Sequence, residues 1–233
     1  MANTETEERQ YPAGDDTADP PYLHADYRST VTKSPSRPLI PLDHTVSELT
    51  GPVFDADTVS VGENDLLSDG EGLPLGERIV VTGRVLDEDG KPYAGALVEM
   101  WQANASGRYR HNADGRDAPL DPNFVGAGRY VTGADGAYSF ETIRPGAYPV
   151  PDSGWWRPAH LHFSVTGPSL MARLVTQMYF PGDPLLELDA IYMSIEDRAA
   201  RERLIARFDS DLGVRGVSLG YEFDIVLRGR ANG

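Results

Sequence analysis

From Arg78 onward, short alternating runs of apolar and polar residues are cut apart by turn residues, and no other feature restricts the fold as much. RIVVTGRVLD at 78–87 runs into the turn DEDGKP, and ALVEMWQAN at 96–104 follows as a second strand. VTGADGAYSF at 131–140 sets Asp135-Gly136 between apolar alternations, which predicts a hairpin. Further strands are predicted at HLHFSVTG, RLVTQMYF and GYEFDIVLRG, the last with Tyr221, Phe223, Ile225 and Leu227 on one face. Short strands punctuated in this way fold as a sandwich or a barrel. The expectation is a mainly β domain over residues 78–233, an antiparallel β-sandwich with long active-site loops and one or two short helices.

Two stretches break the rhythm. SIEDRAARERLIARF, Ser194 to Phe208, predicts a helix with Ser194 and Asp197 as a capping pair and Ile195, Ala199, Leu204 and Phe208 near one stripe. Ala103 to Gly128 is too long for a simple hairpin loop and contains Arg108, Tyr109, Arg110 and His111. Long ordered loops on a β scaffold usually carry function.

Ahead of the sandwich, residues 1–77 read as an extended N-terminal arm with a short helical turn at Asp43 to Gly51, DHTVSELTG. His44 in that turn reads as a surface residue. The alternative is a disordered tail. Against it stand Tyr11, Tyr22, Leu23, Tyr27 and the run PLIPL at 38–42, more apolar surface than disordered segments usually carry. The arm is expected to pack on the core or on a partner subunit.

The 233 residues include no Cys, which removes disulfides, thiolate zinc sites and iron–sulfur ligation and leaves His, Tyr, Asp and Glu as metal ligands. A net charge of −15 opposes binding to nucleic acid or anionic lipid, which depends on neutralising phosphate with Lys and Arg. An anionic small substrate needs local positive charge, such as Arg157 or a metal. The acidic opening MANTETEERQ and the lack of any apolar run near the ~20 residues of a bilayer span predict a soluble cytoplasmic protein.

The stretch PGAYPVPDSGWWRPAHLHF, Pro145 to Phe163, concentrates the chemistry. His160 and His162 open a strand, and residues two apart on a strand share a face, so both imidazoles can reach one point. Taken alone, H-x-H fits an ordinary half-buried strand as well as a metal site. Pro145, Gly146, Pro149, Pro151 and Gly154 keep the preceding residues out of helix and regular sheet. An aromatic irregular loop ending in Arg157 is expensive to order unless it forms a site.

GRYRH at 107–111, PGAYPV at 145–150 and RPAHLHF at 157–163 together offer two tyrosines and two histidines. Here the chain resembles the intradiol ring-cleaving dioxygenases. The likeness runs from about Tyr27 to Arg228 through DLL, LPLGERI, VEMWQANASGRYRH, APLDPNF, WRPAHLHFSVTGPS, TQMYFPGDPL and YEFDIVLRG, in that order. An ordered series is more specific than any one motif.

The resemblance implies a non-haem Fe(III) held by Tyr109, Tyr148, His160 and His162, with Tyr148 and His160 as the axial pair. It makes Arg157 the active-site arginine and Gln177 the polar residue near the reacting oxygen, and sets Tyr27 and Ile191 against the substrate. It implies that protocatechuate is opened by O2 to 3-carboxy-cis,cis-muconate, in the beta-ketoadipate pathway of aromatic catabolism. It also implies a hetero-oligomer with a related alpha subunit that carries no iron. Two departures touch the pocket: the loop between Tyr148 and His160 is slightly shorter than the family pattern, and Val150 stands where an aromatic wall residue is common.

The donor set is chemically sensible in its own right. Phenolates are hard anionic donors that favour the ferric ion. A free tyrosine ionises near pH 10, so two tyrosinates need a strong local positive charge, which Fe(III) supplies. Without His160 and His162, Tyr109 and Tyr148 would read as half-buried aromatics. The rival readings are an intradiol enzyme for catechol or hydroxyquinol, whose members usually carry a helical N-terminal segment, and a non-catalytic β-sandwich subunit, since strand-turn-strand patterns recur in accessory domains.

Overall fold

The computed structural model describes residues 18–38, 40, 59–67, 72–167 and 173–227. Tyr11, His44 and the turn predicted at Asp43 to Gly51 lie outside them. In chain order the elements are α1 (Arg28–Lys33), β1 (Arg78–Leu86), β2 (Leu97–Trp101), β3 (Ala127–Val131), β4 (Ala137–Ile143), β5 (Tyr148–Pro149) and β6 (Trp156–Arg157). Then come β7 (His160–Thr166), β8 (Arg173–Tyr179), α2 (Ala190–Met193), α3 (Arg198–Glu202), β9 (Arg207–Phe208), β10 (Leu219–Glu222) and β11 (Ile225–Val226).

Two sheets enclose the core. One is antiparallel in the order β3-β2-β7-β8. The other is mixed: β4 pairs antiparallel with β1, whereas β10 and β11 both lie parallel to it, with Ile79 opposite Leu219 and Val85 opposite Ile225. Strand alternation fills the space between them. Leu161, Phe163 and Val165 of β7 meet Val98 and Met100 of β2, Val81 of β1 and Phe140 of β4, all buried. The expected face of Tyr221, Phe223, Ile225 and Leu227 is buried there as well. Leu66, ahead of the first strand, joins the same core.

Two local expectations are corrected. The segment around Asp135-Gly136 is not a hairpin: a turn closed by Gly136 N–H donating to Gly133 O joins β3 to β4, but β3 pairs with β2 and β4 with β1. The turn is present, and the chain uses it to cross from one sheet to the other. Nor does Ser194 to Phe208 form one helix. Asp197, not Ser194, caps the five-residue α3, accepting from Ala199 N–H, and Ala200 rather than Ala199 is the buried alanine. Beyond it, Tyr179 N–H donates to Leu204 O and Ala206 N–H to Tyr179 O, and Arg207–Phe208 pairs with β10. Sheet pairing there overrides the helical propensity of an Ala-, Arg- and Leu-rich stretch.

The arm holds the short helix α1, which its lack of a clean period did not announce. Thr30 organises its start, its hydroxyl donating to His24 O at 2.7 Å. Trp155, in the loop between β5 and β6, packs beside His24 and Tyr27 with ring centroids 6.2 and 6.0 Å away.

Candidate metal centre

The face of β7 opposite the core presents His160 and His162. Register fixes their neighbours: His162 lies across from Trp101 on β2 and Gln177 on β8, and His160 across from Tyr179. The Trp101 indole stacks on the His162 ring at 4.9 Å with 1° between planes, which fixes that imidazole's tilt. His160 Nδ1 donates to Pro158 O at 2.7 Å. This sets the tautomer and turns the lone pair of Nε2 outward, as a metal-ligating histidine requires.

Two loops deliver the tyrosines to that face. Asn104 folds the first, its Oδ1 accepting the backbone N–H groups of Ser106 and Arg108 and its carbonyl accepting those of Gly107 and Gly146. Only glycine fits at the crossing. Gly107 has φ +79°, and a Cβ there would lie 2.5 Å from Ala147 O, while one on Gly146 would lie 2.4 Å from Ala105 O. Two residues beyond each glycine stand Tyr109 and Tyr148.

All four expected ligands converge. Tyr109 Oη lies 2.9 Å from His162 Nε2 and 3.3 Å from His160 Nε2, and Tyr148 Oη lies 3.4 Å from His160 Nε2. Donors bound about 2 Å from one ion at right angles stand about 3 Å apart, so these spacings fit a shared metal. A pair on opposite sides of an ion would be about 4 Å apart, so Tyr148 and His160 would have to separate slightly to become axial. Among the described residues no group of three or more His, Cys, Asp and Glu gathers; the phenols make the set.

The electrostatics suit a site for a cation. Burial, then the neighbouring Tyr148, drives the Tyr109 phenol well above its ordinary value, and burial raises Tyr148 against the opposing pull of Arg157. Burial, then Arg157, pushes His160 far below its usual range and His162 down to about 3. The imidazoles are therefore neutral ligands at physiological pH, and the phenols ionise only if a positive charge arrives between them.

Arg157 stands behind the ligands, opposite Tyr148 in the β5–β6 ladder and 0% exposed. Its Nε donates to Asp189 Oδ2 at 3.2 Å, and its Nη2 donates to Gln177 Oε1 and, at 3.1 Å, to Tyr179 Oη. Although burial works against its charge, Tyr179 and Asp189 hold it firmly protonated. Gln177 is thereby brought to the site through Arg157. Tyr27 lines a cavity of about 1190 Å³ together with Tyr109, Tyr148, Val150 and Trp101. Ile191 sits on α2, two residues from Asp189, and is not part of that lining.

Sequence reasoning missed Trp101, Asp189, Tyr179, Asp114 and Arg116. Trp101 closes an alternating strand, but its place beside His162 depends on sheet register. Asp189 carried a weak signal as the acid ahead of AIYM, where it caps α2 by accepting from Ile191 N–H. Positive charge does face the cavity from Arg28, Lys33 and Arg110, while Arg157 is matched by Asp189 and Arg116 by Asp114.

A family model described as "Dioxygenase" matches residues 49–229, and one described as "Protocatechuate 3,4-dioxygenase beta subunit N terminal" matches residues 13–45. The chain is 56% identical to the protocatechuate 3,4-dioxygenase beta chain of Burkholderia cepacia over 214 residues, 91% of each chain. It is 38% identical to a hydroxyquinol 1,2-dioxygenase of Rhizobium sp. (strain MTP-10005) across 70% of this chain and 54% of that one. Among solved structures, 3-chlorocatechol 1,2-dioxygenase from Rhodococcus opacus 1CP aligns with a TM-score of 0.57 at 25% identity, covering 79% of this chain and 72% of that one.

Proposed function

The chain belongs to the intradiol ring-cleaving dioxygenases, and from that premise we propose that Tyr109, Tyr148, His160 and His162 hold a ferric ion at which O2 opens protocatechuate between its hydroxyls to 3-carboxy-cis,cis-muconate. The observation that carries this reading is the convergence of two phenol oxygens on two imidazole nitrogens within 2.9 to 3.4 Å. When bound, Fe(III) supplies the Lewis acidity that ionises the phenols and the diol and makes the ring reactive toward O2.

The residues divide the remaining work. Tyr109 and His162 stay in place, the latter clamped by Trp101. Tyr148 gives way to one diol oxygen and takes its proton on Oη. Arg157, held by Asp189 and Gln177, sets a fixed positive charge behind the ring as its electron density shifts. Tyr27 flanks the substrate. On an otherwise acidic chain, Arg28, Lys33 and Arg110 around the cavity suit a diol bearing a carboxylate better than bare catechol.

The protein works in the cytoplasm with a related alpha subunit that carries no iron. Tyr22, Leu23, Val31 and Ile40 of the arm are more than half exposed, an apolar surface suited to a partner. Produced alone, the chain should be poorly soluble or weakly active, and a fully active, monodisperse homo-oligomer would refute the partnership. The reaction itself is tested by giving the co-produced assembly protocatechuate in oxygenated buffer. One O2 consumed per 3-carboxy-cis,cis-muconate formed is expected; an extradiol product, or no oxygen uptake, would overturn the assignment.

A further inference from the structure

Arg116, in the loop between β2 and β3, lies over the Tyr148 ring and reaches Tyr109 through Asp114. Its Nε donates to Asp114 Oδ1 at 2.8 Å and its Nη2 pairs with Asp114 Oδ2. The guanidinium carbon lies 4.1 Å from the centroid of the Tyr148 ring and 6.0 Å from that of Tyr109. Asp114 Oδ2 also accepts the backbone N–H of Tyr109 at 2.8 Å. The remaining nitrogen, Nη1, is buried and makes no hydrogen bond. A buried donor is costly to leave unmatched, and what this guanidinium meets instead is the electron-rich ring of Tyr148. The other cavity cations are placed differently: Arg28 and Lys33 are exposed, and Arg110 Nη1 donates to Phe124 O at 3.3 Å.

We propose that Asp114 and Arg116 form a bracket, anchored on the backbone of Tyr109, that holds the Tyr148 ring in line with His160, so that Arg116 is a positioning residue acting through Tyr148. The bracket ties two ligands from separate segments into one unit, which the sequence, with the two tyrosines 39 positions apart, does not. It rests on Tyr109 and Tyr148 being iron ligands.

The test compares Arg116→Gln, Arg116→Lys and Asp114→Asn in the iron-loaded assembly, alone and combined with Tyr148→Phe. The readouts are iron content, the visible band per iron, and the rate of complex formation with protocatechuate without oxygen. Arg116→Gln should keep its iron, shift the band toward that of Tyr148→Phe, and slow complex formation about tenfold or more, since small misplacements at a reacting centre cost up to about 10²-fold. Arg116→Lys keeps the cation without the fork and should recover part of both signals. Asp114→Asn should shift the band in the same direction by less. In the Tyr148→Phe background, Arg116→Gln should add nothing. If Arg116→Gln loses iron by misfolding, Arg116→Lys and Asp114→Asn decide. The proposal is overturned by a wild-type band and rate in these variants, or by an equal loss with and without Tyr148. A wild-type assembly lacking iron and colour would instead refute the ligand assignment itself.

Discussion

His160 stands between two polar regions built on opposite terms. On one side Arg157, Gln177, Tyr179 and Asp189 form a closed network, with the charge of Arg157 matched by an Asp189 that is equally buried. On the other side the hydroxyls of Tyr109 and Tyr148 face the same imidazole nitrogens, with His160 Nε2 near both. Each phenol has an imidazole nitrogen within reach, Tyr109 that of His162 at 2.9 Å and Tyr148 that of His160 at 3.4 Å. The first region is matched by its own charges, whereas the second gathers two phenols and two neutral imidazoles, the donor set of the proposed ferric ion.

The largest effect expected from breaking the open side is kinetic. Tyr148→Phe should still bind iron and keep visible colour through Tyr109, yet form the anaerobic protocatechuate complex about 10²- to 10⁴-fold more slowly, the usual worth of a general base. Tyr109→Phe should instead shift the resting band and weaken iron retention, because that donor is permanent. Stopped-flow mixing separates the two, and wild-type complex formation in Tyr148→Phe would mean that Tyr148 is not the departing base.

Breaking the closed side should cost stability first. Asp189→Ala leaves the Arg157 charge buried without its counterion, worth about 3–5 kcal/mol. Denaturant unfolding of the assembly measures it, and a loss below about 1 kcal/mol would show that solvent or another group already compensates Arg157.

The glycine crossing links the regions more gently. Gly107→Ala meets both a left-handed φ and the Ala147 carbonyl and should cost about 1–3 kcal/mol while shifting the visible band. Gly90→Ala shares the left-handed φ, at +76°, but meets nothing within 4 Å, so it should lose stability and leave the band alone.

A further effect concerns pH. His162 is depressed from 6.5 to about 3 by burial and then Arg157, so below pH 6.5 the unfolded chain takes up a proton that the folded chain refuses. Its contribution to the stability of the iron-free protein is complete above about pH 6.5 and lost as pH falls toward about 3. Asp114, drawn from 3.8 to about 2 by Arg116 and backbone N–H groups against the effect of burial, adds a loss confined between those two values. Acid unfolding of His162→Asn should be flatter above pH 4 than wild type, and identical profiles would contradict the assigned environment.

How much was legible follows the same division. The core face of β7 and the pairing of His160 with His162 come from alternation alone, and both tyrosines lay in motifs whose order was specific. The closed network was half visible: Arg157 and Gln177 were named, but Asp189 and Tyr179 join them through contacts across elements that no local pattern encodes. The Asp135-Gly136 turn misled because turn chemistry fixes a reversal and leaves open which sheet receives the next strand. The stretch after Ser194 misled because helical periodicity did not register that β8 and β10 would capture residues 204–208.

The central claim, that the open region is completed by ferric iron on two phenolates, is tested most directly by the metal content and visible spectrum of the purified assembly, before and after protocatechuate is added without oxygen. The account predicts one ferric ion per copy of this chain, a red-brown phenolate-to-iron band, and a change in that band as substrate replaces Tyr148. Zinc or ferrous iron in a colourless protein, or a band that protocatechuate leaves unchanged, would contradict it.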